Sequence, residues 1–181
     1  MNFRFNFEKT LQAAGVLLCL DGDRMERIRL LKLLYIADRE LLTETGRTLT
    51  GDRAVAMTHG PVLSRVYDLL KGEAARAGEW GRSIHSEGHA VVLRDDPGRG
   101  ELSRREVEKL TEVTERFRNT DDWTLSEATH GFEEWSNNYV EGTSTPIPWL
   151  DVLVAENKEE LVEIIERDEA DRRYLDDLLG G

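Results

Sequence analysis

Apolar positions recur at helical spacing over most of the chain and alternate only in short stretches. Leu11, Ala14, Leu17 and Leu18 mark one face of a helix over about Phe7–Leu20. Asp21-Gly22-Asp23 then breaks the pattern. A second helix is predicted from about Met25 to Thr45. Its apolar residues, among them Ile28, Leu31, Leu34, Tyr35, Ile36 and Leu42, surround most of the cylinder. A helix apolar nearly all round is a buried one, so this is the predicted centre of the fold and Leu34 a core residue. Gly46 suits the left-handed position that ends such a helix.

The segment Arg47 to His59 contains Gly51 with Val55 and Met57, and reads as a short strand or an extended loop. Pro61 needs no backbone donor, so a helix is expected to open there, packing Val62, Val66, Leu69 and Leu70 with Tyr67 beside them, and to stop near Gly72. A hairpin is expected with arms Trp80 to His85 and His89 to Arg94 about a Ser86-Glu87-Gly88 turn. A loop follows over Asp95 to Gly100. Capping-box spacing appears at Ser103 with Glu106 and at Thr124 with Glu127, and a related arrangement at Asn157 with Glu160. The last predicted helix carries Leu161, Ile164, Ile165, Leu175, Leu178 and Leu179, a stripe interrupted by Asp168 and Arg172. The expected fold is α+β, mainly α, with about six helices around the central one and a small antiparallel β-hairpin or sheet. Residues 1–181 are expected to form one domain.

Charge narrows the function classes. The chain has 36 acidic and 24 basic side chains, a net charge of -12. Sequence-independent nucleic-acid binding needs clustered Lys and Arg, so nucleic acid is an unlikely partner by composition. No run approaches the roughly 18 apolar residues of a membrane span, and no signal-peptide pattern is present, so a cytoplasmic protein is expected. The one cysteine, Cys19, cannot form an internal disulfide, and its apolar surroundings VLLCL read as a packed thiol.

Candidate chemistry is sparse. His85 and His89 are four apart across a predicted turn with no cysteine nearby, which falls short of a metal set, so neither metal nor cofactor is expected. No phosphate-binding loop, dinucleotide fingerprint or nucleophile elbow occurs, so no catalytic residues are assigned. The pair Glu133-Glu134 reads as a solvated helix face, and His130 as a helix-end or hydrogen-bonded core histidine. Arg24, Arg27, Arg29 and Lys32 read as a charged helix face. Lys32, Asp38, Arg39, Asp52 and Arg53 have two readings. One is a polar network shaping a binding surface. The other has the two aspartates capping helices or loops and the bases solvated.

Three blocks have a more specific wording: KLLYIADRELL (Lys32 to Leu42), GRTLTGDRAVAMTHGPV (Gly46 to Val62) followed by SRVYDLL, and DWTLSEATHGFEEW (Asp122 to Trp135). Together they resemble the Panacea, or SocA-like, domain found mainly in bacterial and phage antitoxins. The third block is similar to that family's Leu-Ser-x-x-Thr-His stretch ahead of a Trp. Ala54 stands where the family often has an aromatic residue, and Gly131 where a charged one is more usual. The resemblance implies a non-enzymatic antitoxin that binds a cognate toxin protein. It leaves open two alternatives: an adaptor delivering the toxin to an ATP-dependent protease, or a DNA-binding autorepressor. Expected partner-binding residues are Asp52, Arg53, His59, Gly60, Pro61 and Tyr67.

Overall fold

The computed structural model describes residues 1 and 3–179, apart from the side chains at 172, 173, 176, 177 and 179. Among the described residues the chain forms α1 (Phe7–Leu20), β1 (Arg24–Glu26), α2 (Arg27–Thr45), β2 (Ala54–Met57), β3 (Gly60–Leu63) and α3 (Ser64–Lys71). There follow α4 (Ala77–Ser83), β4 (Ile84–Glu87), β5 (Ala90–Leu93), α5 (Arg104–Phe117), α6 (Asp122–His130) and α7 (Glu133–Asn138). The chain ends with β6 (Thr145–Ile147), α8 (Trp149–Ala155) and α9 (Glu160–Leu179). The fold is α+β and mainly helical. Nine helices appear among these residues rather than about six, because α4, α7 and α8 are too short to leave a periodic pattern.

Helix α2 is the centre. Thirteen of its residues are buried, including Leu30, Leu33, Leu34 and Tyr35, and α1, α5, α6 and β3 pack around it. Gly46 ends it at φ 72°, and a Cβ there would lie 3.2 Å from Ile165 of α9. Its first residues differ from expectation. Arg24–Glu26 are extended and pair antiparallel with β5, so the helix opens at Arg27. Arg29 is buried and donates to the carbonyls of Phe117 and Thr120, satisfying acceptors at the end of α5. It is a structural arginine, not part of a solvated face.

Two three-stranded antiparallel sheets flank the helices, ordered β1-β5-β4 and β3-β2-β6. The expected hairpin is present, but its first arm begins at Ile84. Trp80 belongs to α4, buried edge-on against Phe7 with ring centroids 6.4 Å apart. The helix start expected at Pro61 is also corrected. Pro61 sits in β3 opposite Ala56, and β3 is an edge strand, where a residue without an N–H leaves no ladder bond unmade. Helix α3 opens three residues later, at Ser64. Its own N-cap, Leu63, offers no side-chain acceptor, and Asp52 supplies one across the chain. The Asp52 carboxylate accepts from the backbone N–H of Arg65 at 2.9 Å and of Val66 at 3.0 Å.

The Ser103/Glu106 capping box is formed. The one expected at Thr124 is not, because Asp121 caps α6 and accepts from the Thr124 N–H. In α9 Ile165 is buried, whereas Ile164, Leu175 and Leu178 are exposed. The expected stripe member Leu179 and the interrupting Arg172 lie outside the described side chains. Cys19 is half-buried rather than a core thiol.

Candidate partner-binding cleft

The β2–β3 hairpin turns at Thr58-His59, and its tip is anchored on α6 and α7. Ser126 donates to the His59 carbonyl at 2.8 Å, and the Trp135 indole N–H to the Met57 carbonyl at 3.0 Å. Gly60, at φ 90°, permits the approach: a Cβ there would lie 2.3 Å from Thr129 Oγ1 and 2.8 Å from Lys32 Nζ. Backbone therefore presses directly against a lysine amine.

Between this hairpin and the start of α2 lies an open cleft of about 510 Å³. Arg27, Ile28, Leu31 and Lys32 form the α2 side. Met57, His59, Gly60 and Val62 form the hairpin side, with Tyr67 of α3 and His89 of the β4–β5 turn closing it. Glu26 is the only carboxylate residue among its lining. Outside the lining, Trp123 is 64% exposed and stands edge-on to His59 at 6.2 Å.

Lys32 is the unusual member. It is 0% exposed, and its Nζ donates to the Pro61 carbonyl at 2.8 Å. No carboxylate lies in ion-pair range of it among the described residues. Burial without a counter-charge pushes its pKa down from 10.5 to about 7. His130, at the end of α6, stacks on Trp135 at 4.3 Å. Burial lowers its pKa, Glu127 opposes that, and Lys32 and His59 add to it.

Three other charges of the family segment, Asp38, Arg39 and Asp52, are engaged structurally. Asp38 accepts from the backbone N–H groups of Leu49 and Thr50, at 2.5 and 2.9 Å, and from the Thr50 hydroxyl. Asp38 and Asp52 thus have the capping role. Two of the three basic residues depart from the solvated reading, since Arg39 and Lys32 are buried, whereas Arg53 is exposed as that reading has it. Arg39 pairs with Glu134 at 2.6 Å, and Glu134 also accepts from the Tyr35 hydroxyl at 2.9 Å. Glu134, expected on a solvated face, is 0% exposed because these two donors of α2 draw it inward.

Of the six expected partner-binding residues, His59, Gly60 and Tyr67 line the cleft. Pro61 supplies the carbonyl that holds Lys32. Asp52 is committed to the α3 cap, and Arg53 is exposed outside the lining. Arg27, Lys32 and Trp123 were missed as site residues. For Lys32 a signal existed, since a helix apolar all round leaves no wet face for a lysine. No group of three or more His, Cys, Asp and Glu among the described residues could hold a metal ion. No helix there is long and apolar enough to cross a membrane.

The site is thus an open cleft with apolar walls on a mainly helical α+β domain. The family model described as antitoxin SocA-like, Panacea domain matches residues 30–136, from the first turn of α2 into α7, and the chain belongs to that family. No curated protein and no solved structure matches it.

Proposed function

We propose that this chain is a cytoplasmic, non-enzymatic antitoxin that neutralises a cognate toxin by direct protein–protein contact. The observation that carries the reading is the cleft. Most of its lining residues lie in the matched family segment, and three residues singled out from that segment converge on it. An apolar trough beside an exposed tryptophan is the kind of surface that anchors a partner. The test is co-expression with the product of the adjacent open reading frame. Growth is expected to be rescued and a complex to co-purify. A neighbour that is harmless alone, or toxicity that persists with no complex, overturns the reading.

A proteolytic adaptor is the second reading, and one observation favours it. Tyr174, Leu175 and Leu178 on α9 are exposed beyond the family-matched segment, giving an apolar surface separate from the cleft. Rescue that fails in cells lacking the major ATP-dependent proteases, with toxin levels rising, selects the adaptor. Rescue that persists selects direct neutralisation.

A further inference from the structure

The cleft holds two cationic groups whose bonding is incomplete. Lys32 Nζ has three donors and one acceptor within reach, the Pro61 carbonyl. On the same wall Arg27 donates through Nη2 to the Gly88 carbonyl at 2.5 Å, while its Nε is buried with no acceptor. Such donors are costly to leave unmet in an apolar setting. Their isolation is not for want of acids, since the chain carries 36. Lys109, equally buried, is met by three carboxylates.

The walls narrow the choice of missing group. Ile28, Leu31, Met57 and Val62 face the same space, and Tyr67 adds a ring. A nucleic-acid backbone would bring a row of phosphates against a chain of net charge -12. A single carboxylate carried beside apolar groups satisfies both the donors and the walls. From this we infer that the cleft receives an Asp or Glu side chain of the toxin, flanked by an apolar residue, and that Lys32 and Arg27 hold its carboxylate. The inference rests on the toxin-binding reading above. The lysine stem is flexible, so the Nζ can keep Pro61 as an acceptor and turn a second N–H to the incoming oxygen. A carboxylate arriving there restores the counter-charge that burial withholds from the resting amine.

The test uses the full chain and a random peptide library displayed without free C-termini. Wild-type protein is expected to enrich peptides sharing one Asp or Glu next to an apolar or aromatic residue. Replacing that acid by its amide in a synthetic peptide is expected to weaken binding by about thirtyfold or more, the scale for removing one partner of a buried charge pair. Lys32→Met should produce a comparable loss, with circular dichroism and melting showing an intact fold. Arg27→Gln, at a half-buried position, serves as the second variant and should weaken the same peptides. No enriched peptides, peptides without an acidic position, or unchanged affinity for a folded Lys32→Met chain overturn the inference. Neutralisation separates the two claims. If wild type and Lys32→Met rescue growth equally, the cleft chemistry falls and the antitoxin reading stands. If no rescue occurs while acidic peptides still need Lys32, the antitoxin reading falls and the cleft chemistry stands.

Discussion

Two lysines of this protein are equally hidden from water and differ in what surrounds them. Lys109 of α5, 2% exposed, places its Nζ 3.0 Å from Glu40, 2.6 Å from Glu44 and 2.8 Å from Glu112. Arg105 and Arg116 extend that lattice by pairing with Glu44 and Glu40. Burial pulls the Lys109 pKa down, but the three carboxylates outweigh it and hold it above the ordinary lysine value. Lys32 of α2 has a single carbonyl, and its pKa falls to about 7. The first site is electrostatically complete and ties α5 to α2. The second is incomplete, and its incompleteness borders an open cleft. Stability alone does not account for an unpaired buried amine, since an apolar residue of similar volume would serve the core better.

Helix α2 carries both regions, with Lys32 on one side of Leu34 and Glu40 and Glu44 on the other. Leu34→Ala therefore gives the largest effect and weakens the two together. Lost burial and a residual cavity should cost about 2–5 kcal/mol in urea unfolding. An unchanged midpoint would mean that α2 is not the shared support.

Lys109→Met attacks the complete site alone. It leaves Glu40, Glu44 and Glu112 without their common cation, although Glu40 and Glu44 keep their arginines and Glu112 keeps Arg105 at 2.9 Å. Because Glu44 and Glu112 are more than a third exposed, solvent screens part of the loss. A destabilisation of about 1–3 kcal/mol is expected by chemical denaturation.

Lys32→Met should have the opposite sign, raising stability by about 1–2 kcal/mol at pH 7, because it removes an uncompensated buried amine. The pH dependence gives a second check. The folded-state pKa of about 7 lies below the ordinary 10.5. Between those values the unfolded chain binds more protons than the folded one, so this group makes wild-type stability rise with pH across that window. Below about pH 7 both states carry the proton, so the pH dependence flattens and the cost of the buried ammonium is at its full size. The advantage of Lys32→Met should therefore narrow from pH 7 towards pH 10. Burial also lowers the pKa of the neighbouring His130 from its ordinary value. A gap that does not change with pH, read from paired melting curves, would show that Lys32 keeps its proton.

The sequence revealed these regions unequally. Local features were readable where the signal lay within a few residues: the all-apolar α2, the left-handed Gly46, the Ser103/Glu106 capping box. The fate of each charge was not readable, because it depended on partners far along the chain. Glu134 is drawn inward by Tyr35 and Arg39, which lie 99 and 95 residues away. Pro61 suited a helix start by its own chemistry, but pairing with Ala56 and the cap from Asp52 moved that start to Ser64. Within the expected loop, Gly60 stood among the expected partner-binding residues, and it lines the cleft. What its missing side chain makes room for, the Lys32 amine, became visible only when hairpin and helix were brought together.

Arg53→Glu carries the smallest expected effect and sharpens the boundary of the cleft. Arg53 was expected in the interface as one of the polar groups of the family-like segment. The two neighbours have different fates: Asp52 turns inward to cap α3, and Arg53 is exposed. Its side chain makes no ion pair of 4 Å or less among the described residues, and it does not line the cleft. Charge reversal there should change stability by no more than about 0.5 kcal/mol, as for most surface substitutions. If the partner seats at Lys32, affinity measured by calorimetric titration should change little, through long-range charge alone, and fade further as salt is raised. A loss as large as that of Lys32→Met, in a chain that melts normally, would extend the interface from the cleft across the start of β2.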